Sequence, residues 1–401
     1  MKRKVLILIS SLTLVLFAAA LVVIAVVGHN LGLFEGRYQQ MRQYAALLRV
    51  IDNRFIGDFD LDDINITAMT AAVASLDDDW SFFLTAEALE NMLQNARNIY
   101  PGIGIQVRSE EDLDGILIIH VHRDSPAYNA GLLPGDIITH VDGIDISLKF
   151  LDEVIKLIRR PVGESVDLTV LREDGTITVK NPVADFVFIN PVEYDLIYTD
   201  IGLITILNFG AGAADEFISA VNSLLDQNAG AFIFDVRGNR GGSVFEMTRI
   251  LDKLLPEGEI FVTVDRTGDE QIFLSDSEKI DLPMAVLVDR HSYSAAEFFA
   301  AIMREYDHAV IIGEQTTGKS RMQTLHFLPG GNAINLSTAE YLTKNRISLH
   351  DAGGVTPDYL IEFSDDLRRL FLMGNLELSE DIHVVKALEL LKSELLEVPG
   401  T

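Results

Sequence analysis

The sequence predicts a multidomain chain: an N-terminal transmembrane helix, a helical segment, a β-rich domain, an α/β core and a helical tail. Three observations carry this expectation. Residues 5–27 hold no charged side chain, and about 20 apolar residues suffice to span a bilayer as a helix. Residues 99–185 are short β-rich runs set between glycine turns. Residues 186–365 alternate apolar strand runs with helical patterns, the signature of an α/β core.

Residues 1–33 are read as cytoplasmic basic residues followed by the anchor. Lys2, Arg3 and Lys4 precede the apolar run and stay inside, which puts the rest of the chain outside the cytoplasm. A cleaved signal peptide has an apolar region of only about 7–15 residues and a small-residue cut site. Ala18-Ala19-Ala20 imitates such a site, but apolar residues continue past it, so length favours an uncleaved anchor. A buried soluble helix would show a polar face, and this one has none.

Residues 34–98 read as helical. Met41, Tyr44, Leu47, Leu48 and Ile51 recur near helical spacing, and Thr85 reads as the cap of a helix beginning Ala86-Glu87. In residues 99–185, Gly102-Ile103-Gly104-Ile105 is a glycine loop running into a strand. Ser125-Pro126-Ala127 opens a short capped helix, residues 150–159 read as a helix and residues 165–171 as a last strand. In residues 186–365, strands are expected at 201–206, 231–236, 285–288 and 309–312, with helices at 214–225 and 243–255. Residues 366–401 read as an acidic helical tail.

Composition removes several function classes. A formal net charge of −28 argues against a nucleic-acid partner and against a soluble face lying on anionic lipid. There is no cysteine, which excludes disulfides, thiolate catalysis and Cys-ligated zinc. Apolar residues make up 48% and charged residues 23%, a balance of folded domains rather than disorder.

The chemistry concentrates on Ser294 and Lys319. Ser294 lies just after the apolar run 285–288 and opens a helical pattern, so its hydroxyl sits beside free helix N–H groups that suit an oxyanion. Lys319 lies on the loop after the next apolar run, 309–312. A buried lysine loses its charge readily, and a neutral amine can take a serine proton. A capping serine and a solvated lysine are the ordinary readings of either residue alone. Ser292 is the nearest rival nucleophile. His291 is a rival base, but a histidine triad also needs a positioned carboxylate, and none is flagged. His120 and His122 share one strand face without a third ligand at recognisable spacing, so no metal site is expected.

The words around these residues are more specific than the spacing. Ser292-Tyr293-Ser294-Ala295-Ala296-Glu297, Gly313-Glu314-Gln315-Thr316-Thr317-Gly318-Lys319-Ser320-Arg321-Met322-Gln323, Asp235-Val236-Arg237-Gly238-Asn239-Arg240-Gly241-Gly242 and Gly354-Val355-Thr356-Pro357-Asp358 follow in order. Together they resemble the carboxyl-terminal processing peptidases, the Ser-Lys protease family S41, also called tail-specific proteases. Residues 99–185 resemble a PDZ domain.

The resemblance implies a crotonase/Clp-like protease core. It implies Ser294 as nucleophile, Lys319 as general base, and Gln323 orienting the lysine amine by a hydrogen bond. It also implies an oxyanion hole from Ala295 and Gly241, with Gly242 the open alternative. The PDZ loop Gly102, Ile103, Gly104 and Ile105 would hold a substrate carboxylate while the peptide adds a strand to the sheet. The implied partners are proteins or peptides with free C-termini, a membrane through the N-terminal helix, and a second copy through the helical segment. No cofactor is implied. The place implied is the bacterial cell envelope, outside the cytoplasm. The sequence departs from the family at Asn239-Arg240-Gly241-Gly242, where Asn-Pro-Gly-Gly is usual, and at Ala296, where serine is usual. A non-catalytic PDZ and crotonase-like binding protein is the alternative, and the joint presence of Ser294, Lys319 and Gln323 speaks for the protease.

Overall fold

The structure is a computed structural model describing residues 37–397, except 110–112, 173, 277–278 and 373. The expected membrane anchor lies outside the described residues. Among the described residues no helix is long and apolar enough to cross a membrane. The chain divides into two units, Met1–Ala68 and Met69–Thr401.

In the first unit, α1 (Arg37–Arg54) is followed by the start of α2 (Leu61–Ala74). The Tyr44 hydroxyl donates to Asn65 Oδ1 at 2.7 Å and ties the two helices. Of the expected apolar stripe on α1, Tyr44, Leu48 and Ile51 are half-buried, whereas Met41 and Leu47 are exposed.

The second unit opens with β1 (Phe82–Leu84), α3 (Ala86–Ala96) and β2 (Ile99–Gly102). Thr85 caps α3 as its sequence suggested, its hydroxyl accepting from the Ala88 N–H at 3.3 Å. Next comes a small β domain. It contains β3 (Ile105–Ser109), β4 (Ile116–Val121), α4 (Pro126–Asn129), β5 (Ile137–Val141), β6 (Ile144–Asp145), α5 (Leu151–Ile158), β7 (Leu168–Leu171) and β8 (Ile177–Lys180). Its antiparallel sheet runs β3-β4-β5-β7-β8, with β6 on β5, so β3 is an edge strand. Ile116, Ile118, Ile138, Val141, Val154, Leu168 and Val170 form its core. The chain returns along β9 (Asp185–Phe188), which pairs antiparallel with β2.

The α/β core follows as β10 (Val192–Ile197), β11 (Ile201–Ile206), α6 (Ala213–Asp226), β12 (Ala231–Asp235), α7 (Val244–Leu254), β13 (Gly258–Asp265) and β14 (Glu270–Ser275). It continues through β15 (Met284–Val288), α8 (Ala295–Glu305), β16 (Val310–Gly313), β17 (Arg321–Phe327), β18 (Ala333–Thr343) and β19 (Tyr359–Leu360), and ends with α9 (Asp365–Leu372) and α10 (Ile382–Glu397). The main sheet has the order β10-β11-β12-β15-β16-β19 and is parallel except for β10. A parallel sheet must be covered on both faces, so its strands are continuous apolar runs. On β12, Phe232 and Phe234 face the cluster containing Phe217, Ile250 and Phe299, and Ile233 faces the opposite cluster. That second face is sealed by Val384, Ala387, Leu388 and Leu391 of α10, so the acidic tail is a layer of the core. A second sheet, β1-β18-β13-β14 with β17 on β18, packs beside it.

Arg237 fastens the last helix to the sheet. It is buried, with Nη2 2.6 Å from Asp235 Oδ2 and 2.8 Å from Asp381 Oδ2. Burial alone would favour its neutral form, but the two carboxylates outweigh that and hold it charged.

Candidate active site

The site forms at the carboxyl ends of β12, β15 and β16, where ligands bind in open α/β sheets. Three turns meet there, and side chains lace them together. After β15, Asp289 Oδ1 accepts the Gly238 and His291 N–H groups at 2.9 Å each. The Ser292 hydroxyl donates to the Val236 carbonyl at 2.7 Å and accepts the Asp289 N–H at 3.0 Å. Ser292 is fully buried, so the rival nucleophile is a structural strut. His291 is exposed on the same turn.

Ser294 stands directly before α8 with φ +59 and ψ −125. A positive φ is strained for a residue bearing a side chain, and such strain clusters at functional turns. The Ser294 N–H donates to Glu297 Oε2 at 2.9 Å. Glu297 also binds the base loop. Its Oε2 accepts the Lys319 N–H at 2.9 Å, and its Oε1 accepts the Gly318 N–H at 2.6 Å and the Thr316 hydroxyl. Glu297 is fully buried, which pushes its carboxyl up, while these four donors pull the other way.

Lys319 is half-buried. Burial pulls its amine down to about 8, against the opposing fields of Asp78 and Glu297. Nζ lies 4.2 Å from the centre of the Trp80 ring and 5.9 Å from that of Tyr293. Among the described residues no hydrogen bond joins Nζ to the Ser294 hydroxyl.

Gln323 is placed differently from the expectation. Its Nε2 donates to the Arg321 carbonyl at 2.7 Å and to the Ser337 hydroxyl at 3.2 Å, not to Lys319. The residue lies on β17 where the register with β18 shifts, and its amide nitrogen is engaged by its own strand and by β18.

Gly241 backs onto the nucleophile turn. A Cβ there would lie 2.8 Å from Ser294 Cβ and 3.1 Å from the Ala295 nitrogen, and its φ is +87. Only glycine allows that approach. The Gly241 N–H already donates to Asn239 Oδ1 at 2.8 Å. Among the described residues the N–H groups of Gly242 and of Ala295, the first residue of α8, have no partner. Ala295 follows Ser294 directly, and Gly242 follows the glycine that packs on the Ser294 turn.

The glycine loop of the β domain lines a cavity of about 380 Å³. Gly102, Ile103, Gly104 and Ile105 form one wall, and Ile155 and Ile158 of α5 form the other. Gly104 has φ +81, and a Cβ there would overlap Ser125 at 2.3 Å. Because β3 is an edge strand, an extended peptide can pair with it. The rings of His120 and His122 touch, with centroids 4.7 Å apart. Among the described residues no group of three or more potential metal ligands occurs.

Residues 200–361 match peptidase family S41, and residues 117–172 match the PDZ domain. The chain carries a peptidase family S41 domain and a PDZ domain. Two curated relatives agree with that. The carboxyl-terminal-processing protease of Synechocystis sp. is 29% identical over 331 residues, covering 81% of this chain and 76% of the relative. The carboxy-terminal-processing protease of Bartonella bacilliformis is 28% identical over 338 residues, covering 82% and 76%. A solved structure from Bacteroides fragilis, assigned to the S41 proteases, superposes with a TM-score of 0.59 at 20% identity over 85% of this chain and 93% of that one. At that identity the likeness concerns the fold.

In the sequence Glu297 stands only as the last residue of the motif that begins at Ser292. A glutamate at the third helical position is the signature of a capping box, and that signal pointed to it. Trp80 and Asp78, which lie against Lys319, gave no such signal because they come from a distant segment.

Proposed function

We propose that the chain is a Ser-Lys endopeptidase, anchored in the cell envelope outside the cytoplasm, that captures protein C-termini in its PDZ groove. The neutral Lys319 amine takes the Ser294 proton as Oγ attacks the scissile carbonyl. The N–H groups of Ala295 and of the Gly241–Gly242 turn, where Gly242 holds the free donor, receive the developing oxyanion. The protonated lysine then gives its proton to the leaving amine, and water hydrolyses the acyl-enzyme by the same steps. The observation that carries this reading is the Glu297 carboxylate, which holds the backbones of Ser294 and Lys319 on one oxygen beside an amine titrating at about 8. A binding-only module has no use for such an amine. The exposed Met41, Leu47 and Val50 on α1 support pairing with a second copy.

The full-length chain in detergent, incubated with an unstructured protein of known C-terminus, should release fragments identifiable by mass spectrometry. Intact substrate at all times, or equal cleavage by Ser294→Ala, would overturn the proposal. Fractionated cells should hold the chain in the membrane pellet, and a mature form beginning after Ala20 would contradict the anchor.

A further inference from the structure

The Lys319 amine is unusual in what it lacks. Two carboxylates lie within electrostatic reach, Asp78 from the loop before β1 and Glu297 from α8, and both are already engaged. Asp78 Oδ1 accepts Arg321 Nη1 at 2.8 Å, and its Oδ2 accepts the Ser81 hydroxyl. Glu297 is filled by its four donors. Neither forms an ion pair with Nζ among the described residues. The amine lies over the indole of Trp80, the chain's one tryptophan, 4.2 Å from the ring centre.

Trp80 is firmly mounted. Its carbonyl accepts Asn335 Nδ2 at 3.1 Å, and the neighbouring Ser81 hydroxyl accepts the Ser337 N–H at 3.0 Å. The strand that follows, β1, pairs with β18, so the loop is fixed to the sheet that carries β17 just beyond Lys319. The indole also meets the ring of Tyr293, the residue before Ser294, with centroids 5.8 Å apart. One aromatic plate thus spans from the nucleophile turn to the base.

We propose that Trp80 is a positioning residue for the reaction, holding the Lys319 amine unpaired and shielded from water against the turn that bears Ser294. The inference rests on Lys319 being the general base. An apolar ring removes water from the ammonium without supplying a counter-charge, so it favours the neutral amine. Its π face attracts the cation in the opposite sense, more strongly where water is excluded, but burial is the largest influence on this amine and pulls it down. Removing the indole rehydrates Nζ and raises its pKa. Each unit upward lowers the neutral fraction about tenfold below the pKa.

The test compares wild type, Trp80→Ala and Trp80→Phe as full-length protein. Trp80→Ala should lower kcat more than tenfold at pH 7 with little change in KM, and should regain activity at higher pH, with the acid limb displaced upward. Trp80→Phe should restore most of both. A Trp80→Ala enzyme with wild-type kcat and an unmoved pH profile would overturn the proposal. A second readout needs no proteolysis. Competitive labelling with acetic anhydride, read by mass spectrometry, should show Lys319 titrating higher in Trp80→Ala than in wild type and Trp80→Phe. An equal titration in all three overturns the proposal whether or not the chain cleaves peptides. If Trp80→Ala does not fold, wild-type tryptophan emission decides. It should change with pH through the lysine titration and stay flat in Lys319→Met, and identical curves in the two overturn the contact.

Discussion

The backbone N–H groups of Ser294 and Lys319 donate to the same atom, Oε2 of Glu297, at 2.9 Å each. The proposed nucleophile and base are therefore held at one distance by a buried carboxylate rather than by contact with each other. Two loops from the ends of different strands share one anchor, and a change in that anchor moves both.

Glu297→Gln should show this. The amide keeps the size but replaces one acceptor by a donor, which then faces Ser294 and Lys319 or Gly318 and Thr316. An unmet buried donor costs about 1–3 kcal/mol, so the thermal midpoint should fall. Misplacement of the reacting groups by about 1 Å should lower kcat by about 10²-fold. A variant with reduced stability but unchanged kcat would mean that Glu297 serves folding alone.

Ser294→Ala should abolish cleavage and melt like wild type. Ser292→Ala should do the reverse. Its hydroxyl joins Val236 to Asp289 in the interior, so its loss should lower stability while leaving much of the activity. Calorimetry and fragment analysis on the two variants separate these roles. Equal losses of activity would contradict the assignment.

Activity should rise with pH, with a midpoint near 8. The amine is a base only when neutral, and burial holds its pKa at about 8, so the active fraction grows as pH increases through that value. Lys319→Arg cannot be deprotonated and should be as inactive as Lys319→Ala, by about 10²–10⁴-fold. A bell centred near pH 6 in kcat/KM, with a surviving arginine variant and a dead His291→Ala, would point to histidine instead.

Much of the fold was legible because the main sheet is parallel. Runs such as 231–236 and 285–288 are apolar without alternation, since both faces are covered, and the loops after β15 and β16 are where Ser294 and Lys319 stand. The second sheet was not read, because its long strands such as β18 are only half-buried and show no clean alternation. The tail reads as an acidic helix, and its apolar side chains at Val384, Ala387 and Leu391 are buried. In the site, the four donors to Glu297 come from the loops after β15 and β16, and Trp80 reaches Lys319 from a segment more than 200 residues away in the sequence. Such convergence has no local signal. The Gln323 amide is instead taken up by the Arg321 carbonyl and the Ser337 hydroxyl.

The groove between β3 and α5 should read a terminal carboxylate. A substrate ending in a free carboxylate should be cleaved faster than the same substrate amidated, since amidation removes the charge that the loop from Gly102 to Ile105 would hold. The difference should appear in KM or in kcat/KM. Equal rates for both substrates would mean that the cavity does not sense the terminus.

The placement of α10 carries a consequence for the timing of synthesis. Asp381, at the threshold of this helix, is one of the two carboxylates neutralising Arg237, and Val384, Ala387 and Leu388 close the open face of the strands whose ends bear the site. Ribosomes deliver this helix after every residue of the proposed chemistry. A partly made chain holds Ser294 and Lys319 but has a bare sheet and a buried arginine short of one counter-charge. A chain stopped before Ile382 should consequently be digested rapidly by trypsin and lack activity, whereas the full chain resists. On the proposed function, the growing polypeptide would not cut its surroundings before α10 has docked.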